Sequence, residues 1–147
     1  GITSGILTTT GVLVGVNAAT SSTVSVIAAI TAIAVADSCS DAFGMYMSKS
    51  GERGVSRSQA MRYALGTLAG KFIFPVTFIV PLLLFPLSTA VIINLAWGAC
   101  ILGLLSLEQA GVSQKSAWMF IGRNLGLAVG IIALSRIAGA WVARLSV

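Results

Sequence analysis

The chain has 147 residues, of which 56% are hydrophobic and only 9% are charged, and its mean hydropathy is +0.98. A soluble domain carries about 25% charged residues, so this composition excludes a soluble globular fold, a disordered chain and a disulfide scaffold. The sequence has no histidine and no catalytic triad, P-loop or zinc motif, which argues against an enzyme. We therefore expect an integral, multi-pass membrane protein whose first partner is the lipid bilayer.

The formal net charge of +5 comes from nine Lys and Arg against four Asp and Glu. The basic residues gather mostly in one loop, which indicates orientation in the membrane and not nucleic-acid binding. These orienting residues are Lys49, Arg53, Arg57, Arg62 and Lys115. The positive-inside rule puts the N-terminus and loop 48–57 in the cytoplasm, with an inner or plasma membrane as the default location.

Five apolar runs are long enough to cross a membrane, since one span needs about 20 residues. Ser56 and Gln59 predict a capping box at the start of the third helix. That helix contains Pro75 and Pro81, which predict a kink. The expected fold is all-α, in one domain. Its spans are residues 2–18, 23–47, 58–85, 89–107 and 116–142.

Gly11 and Gly15 form a GxxxG pair on the first helix. Small residues at this spacing let two helices approach closely in lipid. The pair is consistent with plain helix packing, within or between protomers, and also with a helix that lines a transport path.

Asp37 and Asp41 are the most informative charges, because a spacing of four places them on one helix face. One charge at bilayer depth costs about 2.5–3.5 kcal/mol, so two together need a cation, a proton or a basic partner. Possible partners are Lys71, Arg123 and Arg136. Two interpretations stay open, a static ion pair and a cation or proton site. Further oxygen donors for such a site are Asn17, Ser38 and Ser40.

Two segments resemble the vacuolar iron transporter family. Residues 4–16, SGILTTTGVLVGV, are similar to the family's first-helix signature, DG[IL][VL]TTxGVVxGV. Residues 38–48, SCSDAFGMYMS, resemble the pattern ASMAxGEYxS at the end of its second helix, in register and without a gap. The resemblance is specific over about the first third of the chain and architectural beyond it. It implies a five-span metal transporter that is a homodimer.

Three positions depart from the family pattern. Ser4 stands where the family has Asp, Asp41 where it has a metal-ligating Met, and Met45 where it has Glu. A short loop also replaces the cytoplasmic metal-binding domain that many members carry between helices two and three. Oxygen-dominated sites favour hard ions such as Mn²⁺, although Fe²⁺ also accepts them. The candidate metal ligands are Asp37, Asp41, Met45, Asn17 and Ser4.

The function predicted from these features is proton-coupled transport of a divalent metal cation, such as Fe²⁺ or Mn²⁺, without a bound cofactor. Asp37 and Asp41 would carry both metal and protons, because an arriving metal displaces protons from its ligands. Lys71, if it points inward, would neutralise them in the empty state. Two alternatives remain: a non-metal transporter or channel with a polar lining, and a structural membrane subunit whose charges form static ion pairs.

Overall fold

The computed structural model describes residues 1–145, and every regular element in that range is an α-helix. Their bounds are α1 Ile2–Thr20, α2 Thr23–Ser50, α3 Arg57–Thr77, α4 Ile79–Leu84, α5 Leu87–Ser113 and α6 Ala117–Leu145. Because α3 and α4 together make one segment of spanning length, the described residues contain five helical segments long and apolar enough to cross a membrane. The predicted all-α, multi-pass fold is confirmed.

Several helices extend beyond the bounds predicted from the apolar runs. The first continues to Thr20 and the second to Ser50, so the polar loop after α2 is residues 51–56 and not 48–57. Residues 108–113, expected in a loop, continue α5. A helix need not end where its apolar part ends, because its last turns lie among head groups and water.

The central helix of the bundle is α1, which contacts α2, α3, α5 and α6. Its side chains Ile6 and Leu13 are fully buried in the main apolar core. The hydroxyls of Thr9 and Thr10 are also buried, and each donates a hydrogen bond to the carbonyl four residues earlier in the helix. Their polar groups are thus satisfied within α1, as a membrane interior requires.

Glycines bring α1 and α6 into close contact. A Cβ atom on Gly11 would lie 2.8 Å from Ile131 Cγ2, and one on Gly15 would lie 3.3 Å from the Ser135 carbonyl oxygen. Gly139 of α6 is buried against the Gly15 backbone, and a side chain there would overlap the Gly15 carbonyl. The GxxxG pair therefore packs two helices within one protomer, which is the packing interpretation of this motif.

The predicted kink in the third span is a break at Phe78, between α3 and α4. Pro75 and Pro81 have no amide hydrogen, so the carbonyls four residues before each lose their usual helical donor. Two side chains of α5 donate hydrogen bonds to residues at this break. Asn94 Nδ2 donates to the Phe78 carbonyl at 2.9 Å, and Trp97 Nε1 donates to Thr77 Oγ1 at 2.9 Å.

We expect Gly139→Ala to lower the free energy of unfolding by about 1–3 kcal/mol, as overpacking does at a tight contact. Gly130→Ala is the matched control, since it lies on the same helix with open space around its Cβ position. The measurement is denaturant unfolding of both purified variants in detergent. Equal stability of the two variants would contradict the close α1–α6 contact.

Candidate functional site

The acidic pair and Lys71 lie at the same depth, near the middle of their spans. Asp37 is about 21 Å along the helix axis from Thr23, the first residue of α2. Lys71 is a similar distance from Arg57, the first residue of α3. Both distances are about half of the corresponding span, so the charged groups lie about midway along two segments of membrane-spanning length.

Lys71 binds both carboxylates. Its Nζ donates to Asp37 Oδ2 at 2.8 Å, to Asp41 Oδ2 and to Ser4 Oγ at 3.2 Å. An ammonium group has three donors, and protein oxygens accept from all three. Lys71 is only 2% exposed. These four residues, Ser4, Asp37, Asp41 and Lys71, are called the Lys71 cluster below.

The charges of the Lys71 cluster do not balance. Two carboxylates against one ammonium leave a formal charge of −1 when all three groups are ionised. The side chains of Asp37 and Asp41 are also 31% and 42% exposed in the protomer. They lie at the edge of a face of α2 that no other element of residues 1–145 covers, because α2 contacts only α1, α3 and α4 to a significant extent. An unbalanced charge at this depth is costly, so the cluster is suited to one further proton or cation.

The structure brings together some of the candidate ligands and separates others. Ser4, Asp37 and Asp41 meet at Lys71. Met45 lies one turn beyond Asp41 on α2, towards the 51–56 loop. Asn17 is roughly 20 Å along α1 from Ser4, so it does not reach the cluster.

The other predicted partners and donors make different contacts. Arg123 Nη2 donates to Gln109 Oε1 at 3.2 Å, and Arg123 pairs with no carboxylate within residues 1–145. The Ser38 hydroxyl donates to the Ala34 carbonyl within its own helix, and Ser40 is exposed. Within residues 1–145, no group of three or more His, Cys, Asp or Glu side chains lies close enough together to hold a metal ion.

A cavity of about 470 Å³ extends to Lys71 from the end of the bundle where α1 and α3 begin and α2 and α5 end. We call this cavity the vestibule. Its polar lining residues are Thr3, Arg62, Thr67, Lys71, Glu108 and Gln109. Met45 also lines it. Sequence reasoning did not identify Glu108 and Gln109 as site residues, because it assigned them to a loop.

A second group of polar residues joins the vestibule wall to α6. Gln109 Nε2 donates to Thr3 Oγ1 at 3.3 Å, next to Ser4 of the Lys71 cluster. Asn124 is buried and donates through Nδ2 to Ser106 Oγ at 2.8 Å. The sequence signal for these contacts is weak. It consists of single amide and hydroxyl side chains within long apolar helices. Such side chains often only hold neighbouring helices together, so they do not by themselves indicate a site.

No protein-family model, curated protein or solved structure matches this chain. The resemblance to the vacuolar iron transporter family therefore stays a prediction that rests on two short motifs. The features of the molecule that bear on function are the Lys71 cluster, the vestibule and the uncovered face of α2.

We expect Lys71→Met to lower the free energy of unfolding by about 3 kcal/mol, because removing one partner of a buried ion pair leaves the other charges uncompensated. Adding Asp37→Asn and Asp41→Asn should restore most of the loss, since no charge then remains. Lys115→Met, at an exposed lysine with no ion pair within residues 1–145, is the control. The measurement is denaturant unfolding in detergent. A triple variant as unstable as Lys71→Met would mean that the lysine acts through packing and not through charge.

Proposed function

We propose that this chain is a proton-coupled transporter of divalent metal cations such as Fe²⁺ or Mn²⁺. The Lys71 cluster is the site through which the cation passes. The observation that carries the proposal is a pair of carboxylates about midway along a helix of membrane-spanning length, bound by a single ammonium. Ionisable groups at this depth mark ion pathways by default, and binding sites of many transporters lie near the midplane.

In this proposal the Lys71 ammonium occupies the position of the transported ion when no ion is bound. Its ammonium bonds to both carboxylates, so it occupies the space in which a metal would bridge them. A divalent cation can bind both oxygens only when Lys71 withdraws. The vestibule supplies open volume on the side of Lys71.

The charges explain why such an exchange would involve protons. Ammonium plus one proton balances two carboxylates, and so does a single divalent ion. Metal ligands must be deprotonated, so an arriving ion displaces that proton, and the withdrawn ammonium must release a second proton for the charges to balance. With two protons released for each divalent ion, the site is neutral in both states, which avoids the cost of an isolated charge in the bilayer. Oxygen donors of this kind suit Mn²⁺ and also accept Fe²⁺.

The proposal includes a homodimer. Asp37 and Asp41 keep about a third or more of their side-chain surface open, at the uncovered face of α2. A second copy packed on this face would remove the carboxylates from lipid. The resemblance to the vacuolar iron transporter family implies the same oligomeric state.

The orientation follows from the positive charge around the 51–56 loop, which the positive-inside rule assigns to the cytoplasm. The vestibule opens at the same end of the bundle. In this orientation the Lys71 cluster is reached from the cytoplasm, so cations would load from that side.

A structural membrane subunit is the second candidate. It is favoured by one observation, namely that all three donors of Lys71 are used on protein oxygens. In that case the cluster would hold α1, α2 and α3 together and would carry no ion. Transport measurements separate the two candidates.

Reconstituted protein is expected to move Mn²⁺ or Fe²⁺ across proteoliposomes with protons moving in the opposite direction. Asp41→Asn should reduce this flux at least tenfold, because it removes one of two ligand carboxylates. Glu52→Gln is the control, since this carboxylate lies in the exposed 51–56 loop. The measurement is metal uptake with internal pH recorded. Normal uptake by Asp41→Asn would rule out the proposed mechanism, and no uptake of any cation by the wild type would favour the structural subunit.

Competition between Lys71 and the metal predicts that Lys71→Gln binds Mn²⁺ more tightly than the wild type. We expect at least a tenfold lower Kd, because the resident ammonium no longer has to leave. The Kd is measured by titrating Mn²⁺ into the protein in detergent and following free Mn²⁺ by electron paramagnetic resonance. The matched control adds Asp37→Asn and Asp41→Asn to Lys71→Gln and should bind no specific Mn²⁺. An unchanged Kd for Lys71→Gln would show that the lysine and the metal do not share a site.

A further inference from the structure

A second surface feature, separate from the Lys71 cluster, lies between α2 and α3 on the outside of the bundle. It is a groove of about 390 Å³ near the 51–56 loop. Its floor contains Ala42 and Ala64, which are buried, and Phe43, Met61 and Leu65 line it with exposed side chains. The groove is therefore apolar and open to the surroundings of the helices.

The groove ends at a cationic group. Arg57, the first residue of α3, lines it together with Tyr46, and Arg57 Nε donates to Tyr46 Oη at 3.0 Å. Arg57 forms no ion pair within residues 1–145, whereas the nearby Lys49 pairs with Glu52 at 2.8 Å. The guanidinium keeps its remaining N–H donors, in the fork geometry that suits a phosphate group.

The length of the groove corresponds to one leaflet. From Arg57 to Leu68, the farthest lining residue on α3, the helix rises roughly 16 Å. The hydrocarbon core of a bilayer is about 30 Å thick, so half of it is about as long as the groove. An acyl chain whose head group lies at Arg57 would follow α3 to about the middle of the membrane.

We propose that this groove binds one anionic phospholipid of the leaflet that borders the 51–56 loop. The lipid phosphate forms an ion pair with the Arg57 guanidinium and accepts a hydrogen bond from the Tyr46 hydroxyl. One acyl chain of the lipid lies over Ala42 and Ala64. Charge complementarity selects the occupant, because the head-group end carries Arg57, which has no ion pair in the described part of the chain, and the rest of the groove is apolar. Basic pockets between membrane helices recognise anionic head groups by this chemistry.

The test is a lipid titration of the purified, delipidated full chain in detergent, followed by native mass spectrometry. The wild type is expected to retain one phosphatidylglycerol per protomer, at least tenfold more tightly than phosphatidylcholine. Arg57→Gln should weaken phosphatidylglycerol binding at least tenfold. Arg53→Gln removes an equal charge from the exposed 51–56 loop, four residues before Arg57 and outside the groove, and it should change binding less than twofold.

Tyr46→Phe provides a second variant that keeps the aromatic ring and loses only the hydroxyl. We expect a two- to fivefold loss, with helix content by circular dichroism equal to that of the wild type. General attraction to a basic surface, about 1 kcal/mol per basic residue, would instead give Arg57→Gln and Arg53→Gln the same loss. That result would overturn the proposal.

Displacement of the lipid by millimolar inorganic phosphate would also overturn the proposal, because it would assign the site to a free anion. Dissociation of a dimer by Arg57→Gln would assign the groove to a second copy.

Discussion

The salt bridge of Lys71 with Asp37 and Asp41 is the interaction on which the interior of this bundle depends. Three charges lie at a depth where each alone is costly, and the contacts among them make the arrangement possible. They also join the two helices with the most extensive mutual contact, α2 and α3. The cluster has two carboxylates for one ammonium, and this ratio distinguishes it from a pair of one acid and one base.

Much of the fold could be predicted from the sequence, because the bilayer imposes strong limits on length and polarity. Five apolar runs predicted five spans, and the Ser56–Gln59 capping box is present as expected. The break at Phe78 follows from two prolines in one span. Helix ends were less predictable, since hydropathy reports where the hydrocarbon core ends and not where backbone hydrogen bonding ends.

The site was only partly predictable. A spacing of four was sufficient to place Asp37 and Asp41 on one face. The choice of Lys71 over Arg123 as their partner depends on which faces of α2, α3 and α6 meet, and no local pattern contains that information. Asn17 was a reasonable oxygen donor by composition, but it lies near the other end of α1 from Ser4. Glu108 and Gln109 line the vestibule because α5 is longer than its apolar part.

The contacts among helices divide the bundle unevenly. The most extensive contacts join α2 to α3 and α1 to α6, and the contacts of α1 with α2 and of α5 with α6 are about half as extensive. Both carboxylates and the ammonium belong to the first pair, whereas Ser4 belongs to the second. A rigid-body rotation of one pair against the other would therefore stretch the Ser4–Lys71 hydrogen bond and leave the salt bridges intact. Ser4 is the member of the cluster whose distance to Lys71 would report such a rocking movement.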